Sequence, residues 1–289
     1  MQDALTAVTR HYARGSLDGM RSLLPKLIHD TNVLASLDPR GVALRVQVMK
    51  MTGQFMTQTR QYDAAEVALR WALSGAPDVV YGAAVINTQC WLLLRSGRLA
   101  EARELAVQWA DDTEPRISRA TPSELEAWGR LLLRVATASA RDNRPEEAAQ
   151  ALALAESAAA AIGRRRVPFS SLSLGRFSRF SVEMKRAEHA MVEDRPDAVL
   201  ALASRIPTKA LSKTSANNWN RYLLDVAQAQ TRLRKYPEAI GTLKGVWRDA
   251  PQWLPHQRYA RDIVQTIIGK RRTLTPDMRA LADIVRLPM

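Results

Sequence analysis

Asn143-Arg144-Pro145-Glu146-Glu147-Ala148 reads as a tight turn followed at once by the start of a helix. A turn-forming residue comes first, and proline is tolerated in the first helical turn because its missing N–H would have no partner there. The acidic residues then fall where the helix dipole favours negative charge. The same pattern occurs at residues 60–65, 97–102, 194–199 and 234–239.

The last residue of each segment gives the register of a repeat. These residues are Ala65, Ala102, Ala148, Val199 and Ala239, and twelve positions earlier stand Gly53, Cys90, Ala136, Ala187 and Ala227. All are small, as expected where the two helices of a hairpin touch. Large apolar residues follow four positions later at Leu69, Leu152 and Leu243, and Pro77 and Pro251 are placed to end second helices. The sequence therefore predicts tandem helical hairpins.

Composition and charge agree with an all-α protein that binds an acidic partner. Alanine and leucine, both strong helix formers, dominate the apolar residues. The formal net charge is +13, yet residues 1–162 hold 18 basic and 18 acidic residues, so the whole excess lies in residues 163–289. Such asymmetry indicates a nucleic acid, an anionic peptide or a phosphorylated ligand, with a solvated basic face as the alternative.

The small residues, the apolar residue that follows and the closing proline resemble the tetratricopeptide repeat. The resemblance implies an α-solenoid of tetratricopeptide-like hairpins over residues 42–251, with capping helices in 1–41 and a capping helix and basic tail in 252–289. The anchor residues lie 37, 46, 51 and 40 positions apart. The family repeat is about 34 residues long, so longer-than-usual repeats are expected.

A second resemblance rests on Arg221-Tyr222-Leu223-Leu224-Asp225-Val226-Ala227, on residues 256–264 and on the tail at 271–282. This region is similar to the C-terminal sensor region of actinobacterial transcription regulators, in which a lambda-repressor-like helix-turn-helix domain comes first. No such DNA-binding head is found in the sequence. The resemblance implies a ligand sensor or interaction module in transcription regulation.

No enzyme signature is present, so we expect no catalysis, no cofactor and no metal site. The four histidines, His11, His29, His189 and His256, lack the spacing of metal ligands. Cys90 falls at a predicted helix contact, where it serves as a small apolar residue. One cysteine, no secretory signal and no apolar run of roughly 18–20 residues together favour a soluble cytoplasmic protein.

The register also predicts which residues line a concave groove. In the resembled fold the first helix of each hairpin faces inward, and Arg side chains there present a planar fork suited to carboxylate or phosphate. The predicted lining is Lys50, Gln54, Asn87, Trp91, Arg95, Arg130, Arg134, Arg141, Lys185, Arg221, Gln228 and Arg232. Arg130 and Arg134 share one helix face and repel each other unless an anion lies between them. The alternative is that they pair with acids such as Glu126 or Glu188.

These observations favour a regulatory module that binds a peptide, an anionic small molecule or a protein in its groove. Two alternatives stay open. One is direct nucleic-acid binding through the basic C-terminal half, in addition to contact through a separate DNA-binding domain. The other is a pure assembly scaffold, and homodimerisation is compatible with each. A second basic cluster, Arg164-Arg165-Arg166 near Phe169 and Phe177, reads as a solvated connection.

Overall fold

The computed structural model describes residues 2–163, 177–206 and 216–288. Over these residues the chain forms fourteen α-helices and one short 3-10 helix, and it contains no strand. The architecture is therefore the expected all-α helical solenoid. The helices are α1 (Gln2–Ala13), α2 (Leu17–Leu37), α3 (Pro39–Gln58), α4 (Tyr62–Ser74), α5 (Val79–Ser96), α6 (Leu99–Asp112), α7 (Pro122–Arg141), α8 (Pro145–Ile162), α9 (Arg179–Val192), α10 (Pro196–Ala203), α11 (Ala216–Arg232), α12 (Tyr236–Asp249), α13 (Arg258–Gly269) and α14 (Pro276–Ile284), with the 3-10 helix at Leu254–His256.

Two compact units make up the chain. Unit 1 comprises Met1–Tyr12 and Asp18–Lys185, and unit 2 comprises Ala13–Leu17 and Arg186–Met289. In unit 1, α3 packs on α4, α5 on α6 and α7 on α8, which gives three consecutive hairpins. In unit 2, α11 packs on α12 and also contacts α10 and α13, and α13 packs on α14.

The predicted hairpin contacts are confirmed. The five small residues at the start of the second helices and their partners twelve positions earlier are all buried. A methyl group added to Gly53 would lie 2.6 Å from Cγ of Leu69, the apolar residue that the register places across the hairpin. The second helices α4 and α12 end at Ser74 and Asp249, just before Pro77 and Pro251. The first helices α3, α5 and α7 are 20, 18 and 20 residues long, which accounts for the long repeats.

One backbone geometry recurs at the five hairpin turns. The first turn residue is left-handed in every case, with φ of 64° at Arg60, 81° at Gly97, 55° at Asn143, 55° at Asp194 and 60° at Arg234. The N–H of the next residue then donates to the carbonyl five residues earlier, for example from Arg144 to Ser139 at 2.8 Å and from Lys235 to Gln230 at 2.8 Å. This is the 6→1 bond of a Schellman motif, which satisfies carbonyls at the end of the first helix.

Replacing Arg60 by glycine should raise the free energy of unfolding by about 0.5–1 kcal/mol. A non-glycine residue in the left-handed region costs roughly 1–2 kcal/mol, partly offset because glycine adds entropy to the unfolded chain. The matched variant is Gly97→Ala at the equivalent turn, where an added methyl would meet no atom within 4 Å. Urea unfolding should show it destabilised by roughly 1 kcal/mol, since only the positive φ opposes it. Shifts of the same sign in both variants would mean that the turns are not equivalent.

Candidate functional site

The first helices of the three hairpins in unit 1 form one layer. Helix α5 contacts both α3 and α7, whereas the second helices α4, α6 and α8 contact one another far less. We call α3, α5 and α7 the inner layer and α4, α6 and α8 the outer layer. No residue in 41–58, 80–95 or 122–141 is exposed, so the inner layer is buried or half-buried over almost its whole length.

Charge is segregated between these two layers. The inner layer carries seven basic and two acidic residues, and the outer layer carries two basic and nine acidic residues. The even charge count of residues 1–162 therefore hides a net +5 on one layer and a net −7 on the other. Charges of one sign in a half-buried layer add their fields and raise the local concentration of anions.

Lys50 is the most deeply buried cation of the inner layer, with no exposed surface at all. Burial and, to a smaller extent, the nearby guanidinium of Arg130 together lower its pKa from 10.5 to about 7. Both effects disfavour a charged amine, because desolvation and a like charge each destabilise the protonated form. The amine of Lys50 is therefore easier to deprotonate than the amine of an exposed lysine.

Arg130 and Arg134 have protein partners on the inner layer. Nε and Nη2 of Arg130 donate to Oε1 of Glu126 at 3.0 and 2.6 Å, which matches the alternative of pairing within the helix. Nε of Arg134 donates to the backbone oxygen of Asn87 at 3.1 Å and to its Oδ1 at 2.9 Å. These bonds fix the two guanidinium groups and tie α7 to α5.

Three buried oxygens of the same layer accept no hydrogen bond from the described residues. They are Oε1 of Gln54, Oε2 of Glu126 and Oγ1 of Thr137. Gln54 is held in place from its other end, since its Nε2 donates to Oγ1 of Thr88 at 3.3 Å. Buried acceptors usually have a partner, so these three oxygens are exceptions within the described residues.

The other predicted lining residues divide between the two units. Asn87, Trp91, Arg95 and Arg141 are half-buried on the inner layer, where Nη1 of Arg141 donates to the carbonyl of Thr137 at 3.2 Å. Lys185 lies on α9 within unit 1 and is half-buried. Arg221, Gln228 and Arg232 belong to α11 in unit 2. Within unit 1, the structure brings the predicted residues of α3, α5 and α7 together in one layer.

Unit 2 has a polar cluster that the sequence did not reveal. Cζ of Arg221 lies 4.6 Å from the ring centroid of Tyr259, and the buried carboxylate of Asp225 is bonded to the same tyrosine. Burial and then Asp225 raise the pKa of Tyr259, and the same causes raise the pKa of Tyr222 to about 12. Arg221 is thus stacked on a neutral phenol, and its contacts join α11 to α13.

A cavity of about 320 Å³ lies between α9 and α10 in unit 2. Its polar lining includes Arg186, His189, Glu193, Arg195 and Arg205. Glu193 stands between two of them, 3.5 Å from Nε2 of His189 and 3.2 Å from Nη1 of Arg195. Three arginines face one carboxylate in this lining, and no spacing in the sequence indicated the cavity.

Three further observations concern the cysteine, the side chains that could bind a metal, and the helices that could span a membrane. Burial raises the pKa of the Cys90 thiol to about 12, so the thiolate is not populated near neutral pH. Among residues 2–163, 177–206 and 216–288, no three His, Cys, Asp or Glu side chains come together as a metal site requires. None of the described helices is long and apolar enough to cross a bilayer.

Of the second basic cluster, residues 164–176 lie outside the described part of the chain, and Phe177 is buried against Gly129.

Comparison with known proteins agrees with the helical fold and gives no further information about this chain. Neither the family models nor the curated proteins give a match to this chain. A solved structure similar to it is the crystal structure of BtubC (BKLC) from P. vanneervenii, with 12% identity and a TM-score of 0.52. The alignment covers 82% of this chain and 91% of that chain. At this identity, the likeness shows a shared helical fold alone.

Proposed function

We propose that this chain is a non-catalytic binding module whose inner layer receives an acidic peptide segment of a partner protein. The observation that carries the proposal is the segregation of charge, with a net +5 on α3, α5 and α7 and a net −7 on α4, α6 and α8. A random distribution of equal numbers of acids and bases would leave neither layer with such a field. The inner layer attracts anions, and the outer layer repels them.

The half-buried arginines of the inner layer, which include Arg95, Arg134 and Arg141, suit the carboxylates of an acidic peptide. Carboxylates of the peptide complement the arginines, which bind planar carboxylates through charge-assisted hydrogen bonds.

We place this binding event in transcription control, in the cytoplasm. The support is the resemblance of residues 221–282 to the sensor region of helix-turn-helix regulators. Peptide binding along α3, α5 and α7 would fix the spacing of three hairpins at once. Because each hairpin of a solenoid contacts mainly its neighbours, such a change is transmitted along the array.

The experiment is a titration with fluorescein-labelled hexaglutamate at 50 mM NaCl, followed by anisotropy. The variant Arg95→Gln/Arg141→Gln removes two half-buried inner-layer cations without inserting an opposite charge. We expect its dissociation constant to rise tenfold or more, since hydrogen bonds to charged groups contribute about 1.5–3 kcal/mol each.

The matched control is Arg116→Gln/Arg119→Gln, which removes the same charge from exposed positions between α6 and α7. Its affinity should stay within about twofold of the wild type, because exposed charges are screened by salt. An equal loss in both double variants would make net charge, and not the inner layer, the cause of binding. Unchanged affinity of the inner-layer variant would equally refute the proposal.

A further inference from the structure

Six exposed cations lie at one end of three helices in unit 2. They are Arg232, Arg234, Lys235, Lys270, Arg271 and Arg272. Arg232 is the last residue of α11, and Arg234 and Lys235 lie in the turn before α12. Lys270, Arg271 and Arg272 come directly after the last residue of α13. Cζ of Arg271 lies 5.6 Å from the ring centroid of Tyr236, the first residue of α12, so the two runs adjoin. We call these six residues the basic ridge.

The ridge cations lack the acidic partners that equivalent turns of unit 1 possess. In unit 1, Arg98 pairs with Glu66 and Glu101, and Arg103 and Arg144 both pair with Asp142. In the ridge, Arg232 lies 3.5 Å from Asp194. Within the described residues, the other five make no ion pair.

Helix dipoles do not account for the whole ridge. Cations near the C-termini of α11 and α13 complement the negative end of each dipole. Arg234 and Lys235, however, precede the N-terminus of α12, where the dipole is positive and repels them. Lys235 is the N-cap of α12 and makes no side-chain capping hydrogen bond, and the first turn of α12 contains Pro237, which has no N–H, and the acidic Glu238.

We propose that the basic ridge binds the phosphodiester backbone of duplex DNA without reading its sequence. Exposed Lys and Arg that are not neutralised by acids release condensed counterions when they meet phosphates, which is the main source of non-specific affinity. No large apolar side chain of the ridge is exposed, so it has no anchor for a lipid surface. This site is separate from the inner layer and does not depend on the peptide proposal.

The test is the anisotropy of a fluorescein-labelled 20-base-pair duplex of arbitrary sequence between 50 and 200 mM NaCl. With about five phosphate contacts, the logarithm of the association constant should fall with the logarithm of salt with a slope near −4.5. The variant Lys235→Glu/Arg272→Glu should weaken binding at least tenfold and reduce the steepness of this slope by about 2.

The matched control is Arg248→Glu/Arg258→Glu, which changes net charge equally at the other end of α12 and α13. Both side chains are highly exposed, at 78% and 80%, and the length of α12 separates the two ends by about 20 Å. The affinity of this control variant for the duplex should stay within about threefold of the wild type. The circular dichroism spectra of both double variants must match that of the wild type. If the spectrum of Lys235→Glu/Arg272→Glu does not match, Lys270→Gln/Arg271→Gln is used as the ridge variant instead.

Three results would overturn the proposal. The first is equal weakening by the ridge and control variants, which would make net charge the cause. The second is no binding of the duplex at 50 mM NaCl. The third is ridge-dependent binding to vesicles with 30% phosphatidylserine when duplex binding is independent of the ridge, which would assign the ridge to an anionic membrane surface.

Discussion

Replacing Trp128 by alanine is expected to lower the free energy of unfolding by about 3–5 kcal/mol, the usual cost of deleting a buried aromatic side chain. Trp128 is 3% exposed and lies in the largest core cluster of unit 1, on the face of α7 that packs against α6 and α8. Its Nε1 also donates to the carbonyl of Ala110 at 3.1 Å in a buried setting. The alanine variant therefore loses packing and leaves a buried carbonyl without its donor.

Two further variants separate the causes of this loss. Trp128→Phe keeps most of the ring volume and removes the hydrogen bond, so urea unfolding should show a smaller loss than for alanine. Trp71→Ala removes the same side chain from a position that is 58% exposed on α4, where a change within about 0.5 kcal/mol is expected. Similar losses at Trp128 and Trp71 would contradict the layered packing of the hairpins.

The stability of the protein relative to its Lys50→Met variant should increase by roughly 2 kcal/mol from pH 7 to pH 9. The pKa of Lys50 is lowered to about 7 in the folded chain, against 10.5 for the unfolded chain. Over this window, the unfolded chain binds more protons, so raising the pH favours folding. Below about pH 6 both states are protonated and the difference should become flat.

The measurement is chemical denaturation of both proteins in the same buffers at pH 5.5, 7, 8 and 9. Taking the difference between them cancels the titration of every group that they share. A difference that is constant across these pH values would show that Lys50 keeps an ordinary pKa and is not held in a desolvated site.

The local geometry of the hairpins could be predicted from the sequence because it is set by nearby residues. Asn143-Arg144-Pro145 at one turn and Gly97 at another indicated chain reversals, and all five turns adopt one left-handed geometry. The register of small residues predicted the approach of Gly53 to Leu69. Each of these features depends on steric limits within about twenty residues of chain.

From the sequence, the inner layer could be predicted as a list of residues on first helices, but not with the contacts that these residues make. The spacing placed Lys50, Gln54, Arg130 and Arg134 on first helices, and the structure brings them into one layer. The sequence left open whether Arg130 pairs with Glu126 or holds an anion, because an i, i+4 spacing permits both. The net charge of residues 1–162 also hides the segregation, because each hairpin contributes one helix of positive and one helix of negative net charge, and these charges cancel in the total.

Features that depend on helices far apart in the chain were not predictable. The contact of Arg221 with Tyr259 joins α11 to α13, and the contact of Arg271 with Tyr236 brings two basic runs together. Neither pair has a spacing that a single sequence can reveal. The asymmetry of charge in residues 163–289 left open an acidic partner or a solvated basic face, and only the structure localised part of that charge to an exposed ridge.

Photo-crosslinking of a benzophenone-labelled hexaglutamate peptide at 50 mM NaCl, with the crosslinked residues read by mass spectrometry, tests the binding role of the inner layer most directly. The account predicts that crosslinks concentrate on α3, α5 and α7, and that Arg95→Gln/Arg141→Gln reduces their yield while Arg116→Gln/Arg119→Gln does not. Crosslinks confined to the basic ridge or to the outer layer, or a yield that the two double variants lower equally, would contradict it.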